Sequence, residues 1–401
     1  MADRFDLAIV GGGIVGLATA REIHSRRPDW SLAVLEKEPE VGSHQTGHNS
    51  GVVHSGVYYR PGSLKAQLCL EGRASLLEFA EREKIPTRRI GKVIVAVRPE
   101  ELPVLDSLEA RARENGVTSV RRLSGSEVAA RLPETRGLGG LDIPSAAIID
   151  YPSVARRLAE LLAASGAPVL TGHELVDARP FEGGWRLGAG EEYVARYVVN
   201  CAGLECDLVA RRMGVDPPIA IFPFRGDFYY LSARMRALVP CLVYPVPDPD
   251  LPFLGVHLTP TVDGQLLAGP NAALSLAREG YHPGEWDPRD LLRMAEFRGI
   301  LGLARGYGSL AAREWLRSWS PAAFLAAIRT LWPSVTPDDL GFRTSGVRAQ
   351  AVAHDGTLVD DFVFVRAKHA LHVLNAPSPA ATAAFAIARR IADEAGVTRA
   401  G

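Results

Sequence analysis

A run of glycines between an apolar segment and a helical pattern constrains the fold of this chain more than any other feature. Residues 5–10 are apolar and β-branched, Gly11-Gly12-Gly13 follows, and apolar residues then recur at helical spacing through residues 14–23. This order predicts a strand, a turn and a helix. A second apolar run at 32–35 ends in Glu36. It completes a βαβ unit and predicts a parallel sheet.

The glycines fit the pattern G-x-G-x-x-G, and an acidic residue follows 20 positions beyond the last of them. In such a pattern the first glycine permits a tight turn, the second lets a pyrophosphate approach the backbone, and the third allows close helix packing. Helix N-terminal N–H groups hold the phosphates, and the acidic residue binds a ribose. A glycine turn without a nucleotide is the alternative. The pattern predicts FAD or NAD contacts at Gly11, Gly13, Ile14, Val15, Gly16, Glu36 and Lys37.

Length and composition indicate a globular protein of two domains, or of one domain with a large insertion. The 401 residues include 45 Lys+Arg and 46 Asp+Glu, a net charge of -1, so no overall field attracts nucleic acid. The four cysteines form no CxxC pair, and no apolar leader precedes Phe5. Reduced thiols in a cytoplasmic protein are therefore expected. No run reaches the ~18 apolar residues of a membrane span, and no motif predicts a metal site.

Patterns along the rest of the chain predict a loop, several strands and a last helix. Residues 42–62 have no period and are rich in Gly, His, Ser and Asn, which indicates a long functional loop. A capping box at Ser124 and Glu127 predicts a helix start. Between 219 and 269, aromatic and β-branched runs separated by Pro and Gly predict an antiparallel sheet. A helical pattern covers residues 380–395.

The sequence of the 42–62 loop carries a family resemblance. Residues 44–59 read HQTGHNSGVVHSGVYY, and this segment resembles the D-amino-acid-oxidase-like FAD oxidoreductases. More narrowly, it is similar to the L-2-hydroxyglutarate dehydrogenase/oxidase family. Further matching blocks follow to the end of the chain, at 222–230, 244–247, 255–259, 269–271, 345–350, 358–362 and 375–380.

The resemblance implies that the dinucleotide is FAD. No cysteine lies beyond Cys241, so noncovalent FAD is expected. The implied fold is α/β, a Rossmann-like FAD-binding domain with an inserted α+β substrate domain built on an antiparallel sheet. The FAD-binding domain would comprise residues 1–85, 148–215 and 340–401, and the substrate domain residues 86–147 and 216–339. The implied further FAD contacts are Thr46, Asn49, Ser50, Gly51, Val52, Leu175, Ala202, Gly203, Gly346, Arg348, Pro377 and Ser378.

Two histidines in the matching blocks, His54 and His257, are the candidates for a catalytic base. Oxidation of an alcohol by a flavin requires removal of the hydroxyl proton, and histidine suits that role near neutral pH. A hydrogen-bonded structural histidine is the alternative for each. Arg225 is a third catalytic candidate, because a dicarboxylate substrate requires cations. The remaining substrate-binding candidates are Tyr59, Arg60, Tyr244, Arg348 and Asn375, with Lys65 weaker.

The implied reaction is the oxidation of L-2-hydroxyglutarate to 2-oxoglutarate, with electrons passing to a quinone or to oxygen. An FAD-dependent amino acid or amine oxidase, a glycerol-3-phosphate dehydrogenase and a flavin-binding redox sensor without turnover are the alternatives. Between residues 293 and 329, arginines outnumber acidic residues and lie beside Trp315 and Trp319. Such a stretch predicts peripheral contact with the cytoplasmic face of a membrane, or alternatively a solvated helical face.

Overall fold

A computed structural model describes residues 2–117, 119–248 and 254–400. Its helices are α1 Ile14–Arg26, α2 Leu64–Arg82, α3 Leu102–Glu114, α4 Gly125–Arg131, α5 Tyr151–Ala164, α6 Cys206–Arg212, α7 Ala233–Leu238, α8 Pro288–Glu296, α9 Ile300–Trp319, α10 Pro321–Leu331 and α11 Ala380–Glu394. Its strands are β1 Asp3–Val10, β2 Leu32–Glu36, β3 Val52–Val53, β4 Thr87–Arg89, β5 Lys92–Ala96, β6 Arg121–Ser124, β7 Gly139–Ile143, β8 Ala147–Ile149, β9 Val169–Thr171, β10 Asp177–Phe181, β11 Gly184–Ala189, β12 Glu191–Asn200, β13 Ile219–Leu231, β14 Leu242–Pro245, β15 His257–Pro260, β16 Leu266–Gly269, β17 Ala273–Leu274, β18 Leu340–Ala353, β19 Val363–Ala367 and β20 Ala370–Asn375.

The first sheet is built on the predicted βαβ unit. Its strands run in the order β10-β11-β12-β1-β2-β9, and β20 joins β12 and β19. The pairs β12–β1, β1–β2, β2–β9 and β12–β20 are parallel, as expected when helices cover the sheet. On one face α1 packs against α11 and α5. A Cβ at Gly72 of α2 would lie 2.4 Å from Cα of Ala383, so glycine allows α2 and α11 to approach closely.

In sequence, the strands of the second sheet lie between strands of the first. β5, β6 and β7 come between β2 and β9, and β13 to β18 come between β12 and β19. The strand order of the second sheet is β17-β13-β16-β15-β14-β5-β7-β6, with β18 on β13. The pairs are antiparallel except β14–β5, which is parallel. The predicted sheet is thus confirmed with one parallel pair. A third sheet pairs β8 with β3 and β4.

Strand β18 lies in the second sheet, whereas the sequence-based division gives residues 340–401 to the FAD-binding domain. It pairs with β13 from Ile219↔Ala353 to Leu231↔Leu340. The chain then returns to the first sheet at β19. Residues 340–353 therefore cross between the two sheets, and the proposed boundary at 340 falls at the start of this strand.

A buried ion pair joins segment 275–290 to α6. The carboxylate of Asp207 accepts hydrogen bonds from both terminal nitrogens of Arg278, at 2.6 and 2.8 Å. Both side chains are almost fully buried. The N–H of Ile221 also donates to Asp207 at 3.1 Å, and Asp290 lies 3.6 Å from the guanidinium. These partners raise the pKa of Arg278 despite its burial.

Two further expectations concern cysteines and membranes. Cys69, Cys201, Cys206 and Cys241 are all buried and free, as predicted. Among the described residues, the helices are all too short or too polar to span a bilayer.

Candidate functional site

Around the turn after β1, the fold requires glycine at two positions but leaves room for a side chain at a third. Gly11 has φ +110°, and a Cβ there would lie 2.5 Å from the carbonyl oxygen of Cys201. A Cβ at Gly16 would lie 2.0 Å from the carbonyl oxygen of Gly11. At Gly13 the nearest atom would be Oγ1 of Thr46, at 3.4 Å, an ordinary contact. The open side at Gly13, the N-cap of α1, suits a pyrophosphate approaching the backbone.

Glu36 closes the turn from the side of β2. Its carboxylate accepts the N–H of Gly12 at 2.7 Å and that of Glu38 at 2.8 Å. Each carboxylate oxygen can accept a further hydrogen bond, so Glu36 remains able to bind a ribose. Lys37 instead pairs with Glu38 and, at 2.5 Å, with Glu279. A phosphate contact by Lys37 would have to replace these partners.

The 42–62 loop runs from the N-terminus of α1 to the last helix. Thr46 accepts the N–H of Ile14 at 3.0 Å, and His48 Nδ1 donates to the Ser345 carbonyl at 3.0 Å. A Cβ at Gly346 would lie 2.2 Å from the carbonyl oxygen of His48. The N–H of His54 donates to Thr382 of α11 at 3.1 Å. The loop thereby joins the start of α1, β18 and α11, near which the resemblance places the flavin contacts.

The other predicted FAD contacts lie around this frame and stay predictions. Asn49 is held by carbonyls of its own loop and accepts the N–H of Gly51. Leu175 is buried in the core and its carbonyl accepts from Arg212 at 2.9 Å. The rest lie in the first turn of α1, at or just before β3, after β12 or just before α11: Val15, Ser50, Val52, Ala202, Gly203, Pro377 and Ser378.

The two candidate bases meet in one cluster, although they come from the loop and from β15. The His257 ring stacks on Tyr244 with centroids 3.8 Å apart. Burial, followed by the charge of Lys92, holds the pKa of His54 at about 3, and His257 and Arg348 add to this effect. Burial likewise lowers the pKa of His257 to about 3. We call His54, Lys92, Tyr244, His257 and Arg348 the substrate cluster.

The hydrogen bond of His257 fixes its tautomer. Nδ1 lies 2.9 Å from the carbonyl oxygen of Gly255, and a carbonyl only accepts, so Nδ1 carries the hydrogen. In the neutral ring Nε2 then has its lone pair available for a proton. An imidazole oriented in this way is suited to act as a general base.

Several predicted substrate contacts lie in arrangements that favour structural roles. Arg225 is buried, donates to Asp227 at 3.0 Å and to the carbonyl of His282 at 2.8 Å. The amide of Asn375 donates to the carbonyls of Val359 and Asp361. Their substrate roles stay predictions that require these bonds to be exchanged.

The loop residues Tyr59 and Arg60 lie farther along the chain toward α2. Arg60 is exposed, and its carbonyl accepts from the hydroxyl of Ser63 at 2.6 Å. Lys65 lies 5.4 Å from the Tyr59 ring and pairs with Asp360 at 2.6 Å. Burial raises the pKa of Tyr59 well above its usual value.

Lys92 is the member of the substrate cluster that sequence reasoning missed. It begins β5, a strand in which all five residues are buried. The available signal was a lysine directly before the apolar run VIVA. A lysine in a buried strand is unusual unless it is paired, so this position called for an explanation.

One group of side chains has the composition of a metal site. Ligand atoms of Glu38, His44 and Glu279 lie within 4.8 Å of one another. The ammonium of Lys37 already contacts both carboxylates, so a cation of the protein occupies this position. Together with Lys37, these side chains form an ion-pair network that links residues 37–44 to segment 275–290.

Comparison with known proteins agrees with this arrangement. The profile of the family FAD dependent oxidoreductase (DAO) matches residues 6–394. Proteins named L-2-hydroxyglutarate dehydrogenase are similar along nearly the whole chain. The protein from Indibacter alkaliphilus is 41% identical, with 96% of each chain covered. The human mitochondrial protein is 41% identical, with 97% of this chain and 88% of the relative covered.

Solved structures show the same fold at lower identity. L-alpha-glycerophosphate oxidase from Mycoplasma pneumoniae, with FAD bound, superposes with a TM-score of 0.80 at 21% identity, covering 98% of this chain and 95% of the other. Glycine oxidase from Geobacillus kaustophilus gives 0.76 at 20% identity, covering 100% and 96%. The chain therefore belongs to the family of FAD-dependent oxidoreductases and groups within it with the L-2-hydroxyglutarate dehydrogenases.

Proposed function

We propose that this chain oxidises L-2-hydroxyglutarate to 2-oxoglutarate. The observation that carries the proposal is the substrate cluster, in which two uncharged histidines lie beside two cationic side chains. Relatives about 41% identical carry the name L-2-hydroxyglutarate dehydrogenase. A 2-hydroxy acid presents a hydroxyl proton to a base and a carboxylate to a cation, which is the combination that this cluster offers.

Three side chains of the cluster have a defined task in this reaction. Bound FAD supplies the acceptor for the hydride of the alcohol carbon. One of the two histidines takes the hydroxyl proton on a ring nitrogen, which is free because burial keeps both rings neutral. The guanidinium of Arg348 presents two parallel N–H groups to the carboxylate next to that carbon. Tyr244, stacked on His257, holds that ring in place.

Anaerobic addition of L-2-hydroxyglutarate to the purified protein is expected to bleach the flavin absorbance at saturating substrate. The reason is that the substrate's two electrons have no other acceptor under these conditions. D-2-hydroxyglutarate is the matched control, since it has the same charges with the opposite configuration. The proposal fails if L-2-hydroxyglutarate leaves the flavin oxidised while an amino acid or glycerol-3-phosphate reduces it. Bound flavin that no small donor reduces would indicate the redox sensor instead.

We also propose that the outer surface of α9 contacts an anionic membrane and that the electrons pass to a quinone there. Leu301, Leu316 and Trp319 are 65%, 62% and 53% exposed. Arg305 and Arg313 are exposed on the same helix. We call these five residues the α9 face. Exposed apolar side chains interspersed with arginines suit anionic headgroups over an apolar interior.

Binding to vesicles tests the α9 face. The protein is expected to sediment with vesicles containing phosphatidylglycerol and to bind weakly to pure phosphatidylcholine, with binding falling as salt rises. Replacing Arg305 and Arg313 together by Gln should weaken binding by about tenfold or more, because each basic residue near the surface contributes ~1 kcal/mol. Arg179→Gln, an exposed change on β10, is the control. Equal binding to both vesicles, or equally fast turnover with oxygen and with a vesicle-bound quinone, would contradict the proposal.

A further inference from the structure

Lys92 is a buried basic side chain that forms no ion pair within the described residues. The residue is 1% exposed, and across residues 2–117, 119–248 and 254–400 its Nζ has no hydrogen-bond partner. Burying an unpaired ammonium costs several kcal/mol. Nothing in the packing of β5 requires a charge at this position, because its neighbours in the strand are Val93, Ile94 and Val95.

The ammonium points toward aromatic rings of the substrate cluster. Nζ lies 4.0 Å from the centroid of Tyr244 and 5.1 Å from that of Tyr58. The hydroxyl of Tyr58 is buried and likewise lacks a partner within the described part of the chain. Tyr244 in turn stacks on His257. A cationic donor and a hydroxyl donor, both unsatisfied, therefore lie one ring away from a candidate base.

Two other basic side chains among the predicted substrate contacts already have anionic partners. Lys65 pairs with Asp360 and Arg225 with Asp227. Arg348 is assigned above to the carboxylate beside the reacting carbon. A substrate with a second carboxylate brings one more negative charge into the cluster, and Lys92 is the buried ammonium that can receive it.

We propose that Lys92, together with the hydroxyl of Tyr58, binds the distal carboxylate of the substrate and thereby selects dicarboxylic over monocarboxylic 2-hydroxy acids. The inference rests on the proposed function. It assigns the unsatisfied donors to the one substrate group that the histidines and Arg348 leave without a partner.

The protonation of Lys92 supports this assignment. Burial lowers its pKa to about 7. The groups that face it are His54 and Tyr58 of the loop, Cys69 of α2, Tyr244 of β14 and His257 of β15. None of them is a carboxylate. A bound carboxylate favours the charged form and raises the pKa, so binding above pH 7 must take up a proton.

Lys92→Met provides the test, because methionine matches the length of the side chain without its charge. We expect the variant to fold, to bind FAD and to resist unfolding at least as well as the wild type. Its dissociation constant for L-2-hydroxyglutarate should rise about 10- to 100-fold, the range for losing a charge-assisted hydrogen bond. Its dissociation constant for L-2-hydroxybutyrate, which has no distal carboxylate, should change far less. Lys368→Met, on the surface, is the control.

Calorimetry with 2-oxoglutarate gives a readout that does not depend on turnover. In the wild type, affinity should fall by up to about tenfold per pH unit above pH 7, with proton uptake on binding. Both effects should disappear in Lys92→Met. An unchanged ratio of the dissociation constants for the two hydroxy acids, or proton uptake that persists in Lys92→Met, would overturn the inference. A wild-type flavin that L-2-hydroxyglutarate does not reduce would instead contradict the proposed function.

Discussion

Replacement of His54 or His257 by Gln is expected to slow flavin reduction by at least ~100-fold for the histidine that serves as the base, the usual range for general base catalysis being ~10²–10⁴. Both rings are neutral at working pH, because burial holds each pKa at about 3. Glutamine keeps a polar group of similar size but cannot take a proton. Stopped-flow absorbance under anaerobic conditions measures the effect directly, since it follows reduction without the later reaction with the acceptor.

The second histidine should show a different pattern. A histidine that only orients substrate is expected to raise the dissociation constant and to change the limiting reduction rate far less. His173→Gln is a matched control for His257, because His173 also bonds through Nδ1 to the carbonyl two residues before it, at 2.8 Å, but is only partly buried. Should both site variants reduce their flavin within tenfold of the wild type, neither histidine is the base.

Replacement of Asp207 by Ala is expected to lower the free energy of unfolding by about 3 kcal/mol. Removing one partner of a buried ion pair leaves the other charge uncompensated and typically costs 3–5 kcal/mol. The low end applies because Asp290 lies 3.6 Å from Arg278 and offsets part of the loss. The N–H of Ile221 also loses its acceptor. Chemical denaturation of the FAD-bound protein measures the change.

An exposed ion pair beside the same helix supplies the control. Asp216 pairs with Arg211 at 3.0 Å and is 85% exposed, so Asp216→Ala should change stability by less than ~1 kcal/mol. The double variant Asp207→Ala with Arg278→Met should regain much of the loss, because it removes the stranded charge. A double variant as unstable as the two single changes added together would show that the charge is not the cause.

Local patterns predicted those parts of the fold that depend on neighbours in sequence. The strand, turn and helix around Gly11 formed as expected, and Ser124 caps α4 through Glu127. These features follow from backbone geometry and short-range hydrogen bonds, which a single sequence records directly.

Partnerships between distant residues could not be predicted in the same way. Asp207 and Arg278 are 71 positions apart, and only the packing of segment 275–290 on α6 brings them together. Lys92 is buried where the 42–62 loop, α2, β14 and β15 come together, and these segments are far apart in sequence. The pairing of Arg225 with Asp227 could have been predicted from the sequence. The two residues lie two positions apart in a strand, and such residues share a face.

The path of the chain through the first sheet has a consequence for synthesis on the ribosome. The glycine turn emerges early, but β20, which pairs with β12, and Thr382, which holds His54, emerge near the end. Until α11 has been synthesised, the surface of α1 that packs against it stays exposed in the nascent βαβ unit. Contacts of such large sequence separation form slowly. We therefore expect capture of the flavin to be a late event in the biogenesis of this protein, and chaperones that shield apolar surface to have their longest opportunity to act before it.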